Sequence, residues 1–332
     1  MLTIKENLHE TMYGGTPDRF VNQYEFLHLI WNDPYNLYDP NPVPGQMDVV
    51  NSWGYTQSWP KGFPGMFPVH DEKHLVIKDI EHWQDYVKAP NLKFSSAEWE
   101  PAQKEAEEVD RNEQYIAPFI APGTFERCHY LLEIQNFLTD FYTNPDELKD
   151  LIKYLTEWEL EYAEELCTHL HPDALFHHDD WGSQNSTFIS PAMFEEFFLD
   201  AYNKIYGYYR AHGVKLIVHH SDSYAATLVP YMIEMGIDIW QGVMKSNDIR
   251  SLITQYGGKL TFMGGIDSAT VDFSGWTKET VRKEVHNACS EYGKLYYIPN
   301  STIGKPSSIY PGVYDALTDA INQESKLQFA ND

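Results

Sequence analysis

From residue 116 onward the sequence repeats one unit, in which a short apolar run of strand length is followed by an amphipathic segment of helical period. Strands that alternate with helices are joined by right-handed crossovers and pair in parallel. The repeat therefore predicts an α/β protein built on a parallel sheet. The predicted strands are Ile116 to Pro122, Ala174 to Trp181, Lys215 to Asp222, Asp238 to Val243, Leu260 to Asp267 and Leu295 to Asn300, with a first strand at Arg19 to Glu25.

Two of the intervening segments carry clear helix signals. Ser190 can cap one helix, Pro191 fits its first turn and Gly213 can end it. The other segment opens at Asn144 and Pro145, and its apolar residues recur at the spacing of one helix face. Both segments are therefore predicted to be amphipathic helices.

Six such units and a first strand approach the eight of a (β/α)8 TIM barrel, which a chain of 332 residues can form as one domain. A doubly wound open sheet is the alternative. It is disfavoured because no glycine-rich phosphate-binding turn follows any predicted strand. We expect a single barrel domain over residues 1–332, with an N-terminal extension and loop excursion over about residues 1–115. The Pro- and Gly-rich stretch from Asp39 to Pro68 is interpreted as an ordered part of that excursion.

The charge balance restricts the class of partner. With 24 Lys and Arg against 49 Asp and Glu, the formal net charge is −25 and the cations are scattered singly. Nucleic acid and anionic membrane surfaces are therefore not expected partners. The three cysteines form no C-x-x-C pair, the N-terminus has no signal-peptide pattern, and no apolar run is long enough to span a bilayer, so a cytoplasmic location is expected.

Polar residues recur at the carboxyl ends of the predicted strands. In a parallel barrel these ends converge on one mouth, where active sites are built. Polar residues also collect at strand ends because solvent begins there. For Gln241 and Asn300, each considered alone, this structural explanation competes with a functional one. The residues are His177 to Asp180, His219 to Asp222, Gln241, Asp267, and Asn300 with Ser301.

His220 and Asp222 form the strongest pair. Side chains alternate along a strand, so the two would share one face, roughly 6–7 Å apart along the chain. An imidazole and a carboxylate placed in this way can ligate a divalent metal or act as an oriented base and its partner. The structural alternative is that His220 hydrogen-bonds to a neighbouring helix and that Asp222 caps that helix.

Asp179 and Asp180 are adjacent and would face opposite sides of a strand, so one of them is expected to reach the mouth. Close carboxylates shift each other's pKa values apart, which suits proton transfer or cation binding. Asp180 is favoured slightly over Asp179, and the other carboxylate would cap a helix or order a loop. We therefore predict Asp180, Asp179, His220 and Asp222 as catalytic residues, with His220 and Asp222 as candidate metal ligands.

A substrate pocket is expected at the same mouth. Trp53 and Trp181 lie in predicted loops, where their rings can line a pocket for a flat, apolar substrate. The strand-end residues His178, Gln241, Asp267 and Asn300 complete the predicted substrate-binding set.

An ordered set of short motifs extends over nearly the whole chain. It resembles the uroporphyrinogen decarboxylase-like superfamily, in particular its corrinoid-dependent methyltransferase branch. That resemblance implies a distorted (β/α)8 barrel. The motifs are Gly14 to Phe20, Ser52 to Tyr55, Asp179 to Gln184, Ile189 to Phe194, His220 to Ser223, Glu234 to Asp238 and Gly264 to Asp267.

Departures from the family patterns narrow the implied activity. True uroporphyrinogen decarboxylases hold the substrate's carboxylates with an Arg-rich N-terminal stretch, which here reads Arg19 to Glu25 and carries one arginine. Coenzyme M methyltransferases hold zinc with a His-x-Cys motif and a later cysteine. Here His220-x-Asp222 and Pro299 to Thr302 stand in those regions, without thiolates. A His/Asp site is harder and prefers oxygen ligands.

The resemblance implies an enzyme that moves a methyl group from a small methylated, most simply methoxylated, substrate to the cobalt of a corrinoid (cobalamin) on a partner protein, as in O-demethylase systems. Zn²⁺ is the implied metal, and a homodimer is compatible with the sequence. A metal-assisted hydrolase or lyase on the same barrel is the first alternative. A non-catalytic binding protein of the same fold is the second.

Overall fold

A parallel sheet forms the centre of the molecule. The structure is a computed structural model and describes residues 1–63 and 65–330. The strands are β1 (Leu27–Ile30), β2 (Val49–Val50), β3 (Thr56–Ser58), β4 (Phe67–Pro68), β5 (Tyr115–Ile120), β6 (Ala174–His178), β7 (Leu216–His220), β8 (Ile239–Val243), β9 (Thr261–Ile266) and β10 (Tyr297–Ser301).

Seven of these strands pair in the order β1-β5-β6-β7-β8-β9-β10, every pair parallel. The sheet curls into a distorted barrel of the predicted α/β type, with seven strands in the described part of the chain rather than eight. The strands β2, β3 and β4 form a separate antiparallel sheet within the excursion at 39–68. All six strands predicted after residue 115 are present.

Helices follow the barrel strands and cover the outside of the sheet. They are α1 (Ile4–Tyr13), α2 (Pro34–Tyr38), α3 (Ser96–Glu107), α4 (Thr124–Leu132), α5 (Ile134–Thr143), α6 (Pro145–Leu170), α7 (Pro191–Phe194), α8 (Asp200–Ala211), α9 (Val229–Glu234), α10 (Ile249–Tyr256), α11 (Ser268–Val271), α12 (Lys278–Tyr292) and α13 (Val313–Gln328). A π-helical turn, Glu195–Leu199, joins α7 to α8 into the predicted helix. Ser190 caps that helix through Met193 N, as its sequence indicates.

Alternation along the strands separates two apolar layers. One face packs against the helices. The other face forms the barrel interior, where Leu8 and Met12 of α1 fill one end. Among the interior residues are Phe176 on β6, Val218 on β7 and Ile298 on β10. The next inward positions toward the carboxyl ends of these strands are polar, so the apolar filling gives way to a polar layer at the mouth.

The first strand lies later in the chain than predicted. Residues Arg19 to Glu25 form turns, with Gln23 at a positive φ of 52°, and β1 follows at Leu27–Ile30. The turn segment contacts the other end of the sheet, since Tyr24 Oη donates to Ile303 O at 2.8 Å and Gln23 Nε2 donates to Thr318 Oγ1 at 2.9 Å. These bonds connect the turn before β1 to the loop after β10 and to α13.

Within the part of the chain that the structure describes, every helix is too short or too polar to cross a bilayer.

Candidate active site and metal centre

The polar layer at the mouth begins with three residues at one level of three neighbouring strands. His178 is paired in register with His220, and His220 with Gln241. All three follow inward-facing apolar residues by two positions, so their side chains point into the barrel. Leu216, Val218 and His220 share this inward face of β7, as alternation predicts, whereas Asp222, predicted to share it, lies beyond the end of the strand.

His178, Asp180 and His220 come together as a possible metal-binding group. One ligand atom from each lies within 4.8 Å of the other two. The rings of His178 and His220 stack with centroids 4.3 Å apart. Asp180 follows the end of β6 and is half-buried, and its Oδ1 accepts a hydrogen bond from Asp222 N at 2.9 Å.

Gln241 fixes the tautomer of His220. The Gln241 amide nitrogen donates to Asn300 Oδ1 at 2.9 Å and to Ile303 O at 3.2 Å. Its carbonyl oxygen therefore faces His220 Nδ1, which must donate the proton of this short hydrogen bond. The lone pair of His220 is consequently on Nε2. Burial and the neighbouring His178 lower the pKa of His220 to about 3, so the ring is neutral at pH 7.

His178 is oriented by a residue that the sequence did not single out. Its Nδ1 lies 3.0 Å from Oε2 of the buried Glu126, in the first turn of α4. Burial alone would lower the pKa of His178, but the charges of Glu126, Asp180 and Asp222 outweigh burial and raise it to about 10. The surroundings of this ring therefore favour a positive charge. Its place in the first helical turn after β5 puts Glu126 near the mouth, but the sequence does not show that it contacts His178.

Two glycines make room for the His220 ring. A Cβ on Gly304 would lie 2.8 Å from His220 Cε1 and 2.9 Å from both ring nitrogens, and a Cβ on Gly242 would lie 2.9 Å from Cε1. Gly242 also has a φ of +90° at a break in the β8 to β9 register. Only residues without a side chain allow the backbone to approach a ring this closely.

Asn300 adds an unpaired donor to this layer. The residue is fully buried on β10, and its Oδ1 accepts from Gln241 while its Nδ2 has no hydrogen-bond partner. A buried donor without a partner is costly, which favours a ligand or water that accepts from it.

Asp179 faces the opposite side of β6. Its carboxylate accepts from the backbone N–H groups of Phe125 at 2.9 Å and Glu126 at 2.8 Å, and from the Tyr202 hydroxyl. Burial and the nearby charge of Glu126 raise the pKa of Asp179 to about 7. Asp179 therefore binds the N-terminal end of α4. This is the helix-capping role expected for whichever of Asp179 and Asp180 does not reach the mouth.

Asp222 and Asp267 lie at the rim of the mouth. Because β7 ends at His220, strand alternation does not extend to Asp222, and this exposed residue is not one of the three clustered ligands. The protein packed around Asp222 and the charge of Asp180 raise the pKa of Asp222 to about 8. Asp267 is exposed and caps α11 by accepting from Ala269 N at 2.9 Å.

The two predicted pocket tryptophans are buried away from this cluster. Trp181 is fully buried behind the sheet, where it stacks on His219 with centroids 4.0 Å apart and donates to Tyr202 Oη. Trp53 is buried against Trp158. Both side chains sit in the outer apolar layer.

Comparisons with known proteins agree with this architecture. No curated protein sequence matches the chain. Among solved structures, a methyltransferase from Methanosarcina mazei superposes with a TM-score of 0.66 at 15% identity, over 98% of this chain and 99% of that one. A D-allulose 3-epimerase from Methylomonas sp. gives a TM-score of 0.35 at 9% identity, over 70% of this chain and 93% of that one, and this likeness is too weak to support any inference.

The first of these likenesses shows a shared fold and nothing more, because its sequence identity is low. A family model supplies the classification: the model described as uroporphyrinogen decarboxylase (URO-D) matches residues 67–324, a span that contains α4 and every strand from β5 to β10. The chain belongs to the uroporphyrinogen decarboxylase family.

Proposed function

We propose that the protein transfers a methyl group from a small methoxylated substrate to the cobalt of a corrinoid carried by a partner protein. The observation that carries the proposal is the group of His178, Asp180 and His220 at the barrel mouth, with ligand atoms within 4.8 Å of one another. The methyltransferase from Methanosarcina mazei, which shares the fold over 98% of this chain, adds support.

The three residues fit a zinc ion. Zinc accepts imidazole nitrogen and carboxylate oxygen, and catalytic zinc sites typically have three protein ligands and one open position. Both histidines are held through their Nδ1 atoms, His220 by Gln241 and His178 by Glu126, which leaves both Nε2 atoms for the ion. Such second partners are usual for metal-binding histidines. A bound zinc ion would act as a Lewis acid toward the ether oxygen.

The proposed reaction is a displacement at the methyl carbon. The carbon–oxygen bond breaks, the cobalt(I) of the acceptor contributes the electron pair of the new carbon–cobalt bond, and the oxygen leaves with the electron pair of the broken bond and takes a proton from water. The chain's task is to position the ether and to stabilise the leaving oxygen. Asn300 Nδ2, which lacks a partner, is available to donate to that oxygen or to a neighbouring substrate atom.

The test combines metal analysis with a methyl-transfer assay. Purified protein is analysed for zinc and mixed with a cobalt(I) corrinoid and a panel of methoxylated aromatic compounds, and methylcobalamin is followed by absorbance. We expect a signal that requires both zinc and His220, with Arg111→Met as a variant remote from the site. No methylcobalamin from any substrate would reject the proposal, and zinc-dependent turnover of the panel without a corrinoid would replace it with the hydrolase or lyase alternative.

A further inference from the structure

The tryptophan that follows β1 is exposed at the mouth of the barrel. Trp31 is 41% exposed and is the most exposed of the nine tryptophans, all of which the structure describes. It comes one residue after β1, at the carboxyl end of that strand. Active sites of parallel barrels are built at these strand ends. The indole is therefore a candidate for contact with a ligand of this mouth.

A ring contact with Phe119 fixes the place of this indole. The two ring centroids are 3.8 Å apart and the ring planes are inclined by 26°. Phe119 lies on β5, two residues after the interior residue Ala117, and its ring packs against the interior layer. Leu29 pairs with Ala117, so Trp31 and Phe119 lie at the next inward level of the two strands. The indole therefore sits over the barrel interior and not on the outer helical layer.

Ring contacts lead from this pair to the candidate metal ligands. The Phe119 and His178 ring centroids are 6.4 Å apart, so Trp31 is two ring contacts from His178. The His178 side chain is 25% exposed, and Asp180 is half-buried. Solvent thus reaches both the indole and the metal-binding group, and one small molecule at the mouth can contact both.

The free face of the indole points away from β5. Because the two ring planes are close to parallel, Phe119 covers one face, and the exposed area belongs to the other face and the ring edges. Within the described residues β1 pairs only with β5, so no strand ladder closes the other side of β1. A flat ring can stack there, and aromatic rings favour offset-stacked partners.

We propose that Trp31, positioned by Phe119, stacks on the aromatic ring of a methyl aryl ether whose oxygen lies at the clustered metal ligands. In such an ether the oxygen is bonded directly to the ring, so a ring against Trp31 and an oxygen near His178 belong to one small molecule. Trp31 then takes the pocket-lining role that the sequence assigned to Trp53 and Trp181. The identity of this ligand as the methyl donor rests on the proposed function; the ring site itself does not.

The experiment measures binding without a corrinoid or turnover. Protein equilibrated with zinc is titrated by calorimetry with 3-methoxyphenol and with 3-methoxycyclohexanol, which keeps the ether and the hydroxyl but has no aromatic ring. We expect the wild type to bind the aromatic ether about tenfold more tightly. Trp31→Ala should remove this preference by weakening only the binding of the aromatic ether. Trp31→Phe, which keeps a ring, should retain most of the preference.

Tyr13→Ala is the matched control. Tyr13 is 56% exposed on α1, at the opposite end of the barrel, where Thr11 O accepts from Tyr296 N just before β10. This variant should bind both ethers as the wild type does.

The paired ligands separate a binding role from a structural one. A disturbed mouth would weaken both ethers, whereas loss of a stacking partner weakens only the aromatic one. Equal affinities of the wild type for the two ethers would overturn the proposal. So would an unchanged aromatic preference in Trp31→Ala, or an equal loss of both ethers in that variant.

The two proposals fail separately. An aromatic preference that depends on Trp31, with no methyl transfer from any donor, would keep the ring site and reject the methyltransferase function. Methyl transfer from both ethers at rates that Trp31→Ala leaves unchanged would keep the methyltransferase function and reject the ring site.

Discussion

His178 and His220 stack with ring centroids 4.3 Å apart at paired positions on adjacent parallel strands. Parallel neighbours in register place their side chains on the same face, so the sheet brings the two imidazoles together without any loop. Their Nδ1 atoms have different hydrogen-bond partners, Glu126 for His178 and Gln241 for His220. Two of the three clustered ligands are therefore positioned by regular structure, which favours a fixed ligand geometry, and the third, Asp180, follows the end of β6.

Removal of any one of the clustered ligands His178, Asp180 and His220 should abolish stoichiometric metal binding. We expect His220→Ala and Asp180→Asn to lose stoichiometric zinc, as measured by elemental analysis after dialysis. Asp222→Asn should weaken zinc binding less, because Asp222 contributes charge near the cluster and no clustered ligand atom. Equal losses in Asp180→Asn and Asp222→Asn would instead identify Asp222 as a ligand, as its spacing from His220 predicts.

Gln241 should tune the centre through His220. Gln241→Met removes the acceptor that fixes the His220 tautomer, and we expect zinc affinity to fall by about 10–100-fold. Gln241→Glu restores an acceptor and should recover much of this loss. Competition with a chromogenic chelator measures both variants. Identical affinities for wild type and Gln241→Met would show that the hydrogen bond to His220 does not affect the metal.

Strand-level features of the site could be read from the sequence. Period-two alternation placed His220 inward with Val218, and the polar strand ends marked the mouth. Alternation stops where a strand stops, so it could not place Asp222, two residues beyond His220. The resemblance and the repeat together gave the barrel, but the turn at Gln23 displaced the first strand, because a positive φ at a non-glycine residue has no clear sequence signal.

Contacts between elements were beyond sequence reasoning. Glu126 of α4, the helix that follows β5, contacts His178 on β6, and the Asp179 carboxylate accepts from backbone N–H groups of the same helix. Both relations depend on how α4 sits on the sheet. The positions of Trp53 and Trp181 in the outer layer likewise follow from packing against Trp158 and His219, which no local pattern reports.

Asp179 should position the metal centre without binding metal. Its carboxylate caps α4, so Asp179→Ala should lower the free energy of unfolding by about 1–2 kcal/mol. The same change loosens Glu126, and zinc affinity should fall by less than in His220→Ala. Tyr202→Phe removes one donor to Asp179 and should give a smaller effect in the same direction. Urea unfolding and chelator competition measure the two effects. A loss of zinc as complete as that of His220→Ala would argue against a positioning role.

Gly304 should be required for the orientation of the His220 ring. Gly304→Ala places a methyl group within 2.9 Å of both ring nitrogens, so the ring or the loop must shift. We expect zinc affinity to fall at least tenfold, since such a shift disturbs the ligand geometry. Gly207→Ala in α8 is the matched control, because its Cβ meets nothing within 4 Å. The control should leave zinc binding unchanged and stabilise the helix by about 0.5–1 kcal/mol. Unchanged zinc binding in Gly304→Ala would refute the steric argument.

His129 should make the fold sensitive to acid. Burial and the neighbouring His70 lower the pKa of His129 to about 3, and its Nδ1 has no hydrogen-bond partner in the described structure. An unfolded histidine titrates near pH 6.5, so between about pH 6.5 and 3 the unfolded chain binds a proton that the folded chain does not. The stability from this group is therefore complete above pH 6.5 and is lost as the pH falls below it.

His129→Phe keeps an aromatic ring against Tyr130 and removes the titration. Between pH 7.5 and 5 the wild type should lose up to about 2 kcal/mol more unfolding free energy than this variant. Urea unfolding at the two pH values measures the difference, with His9→Phe at a solvent-exposed site as control. Equal losses in the wild type and His129→Phe would mean that another group governs the acid response.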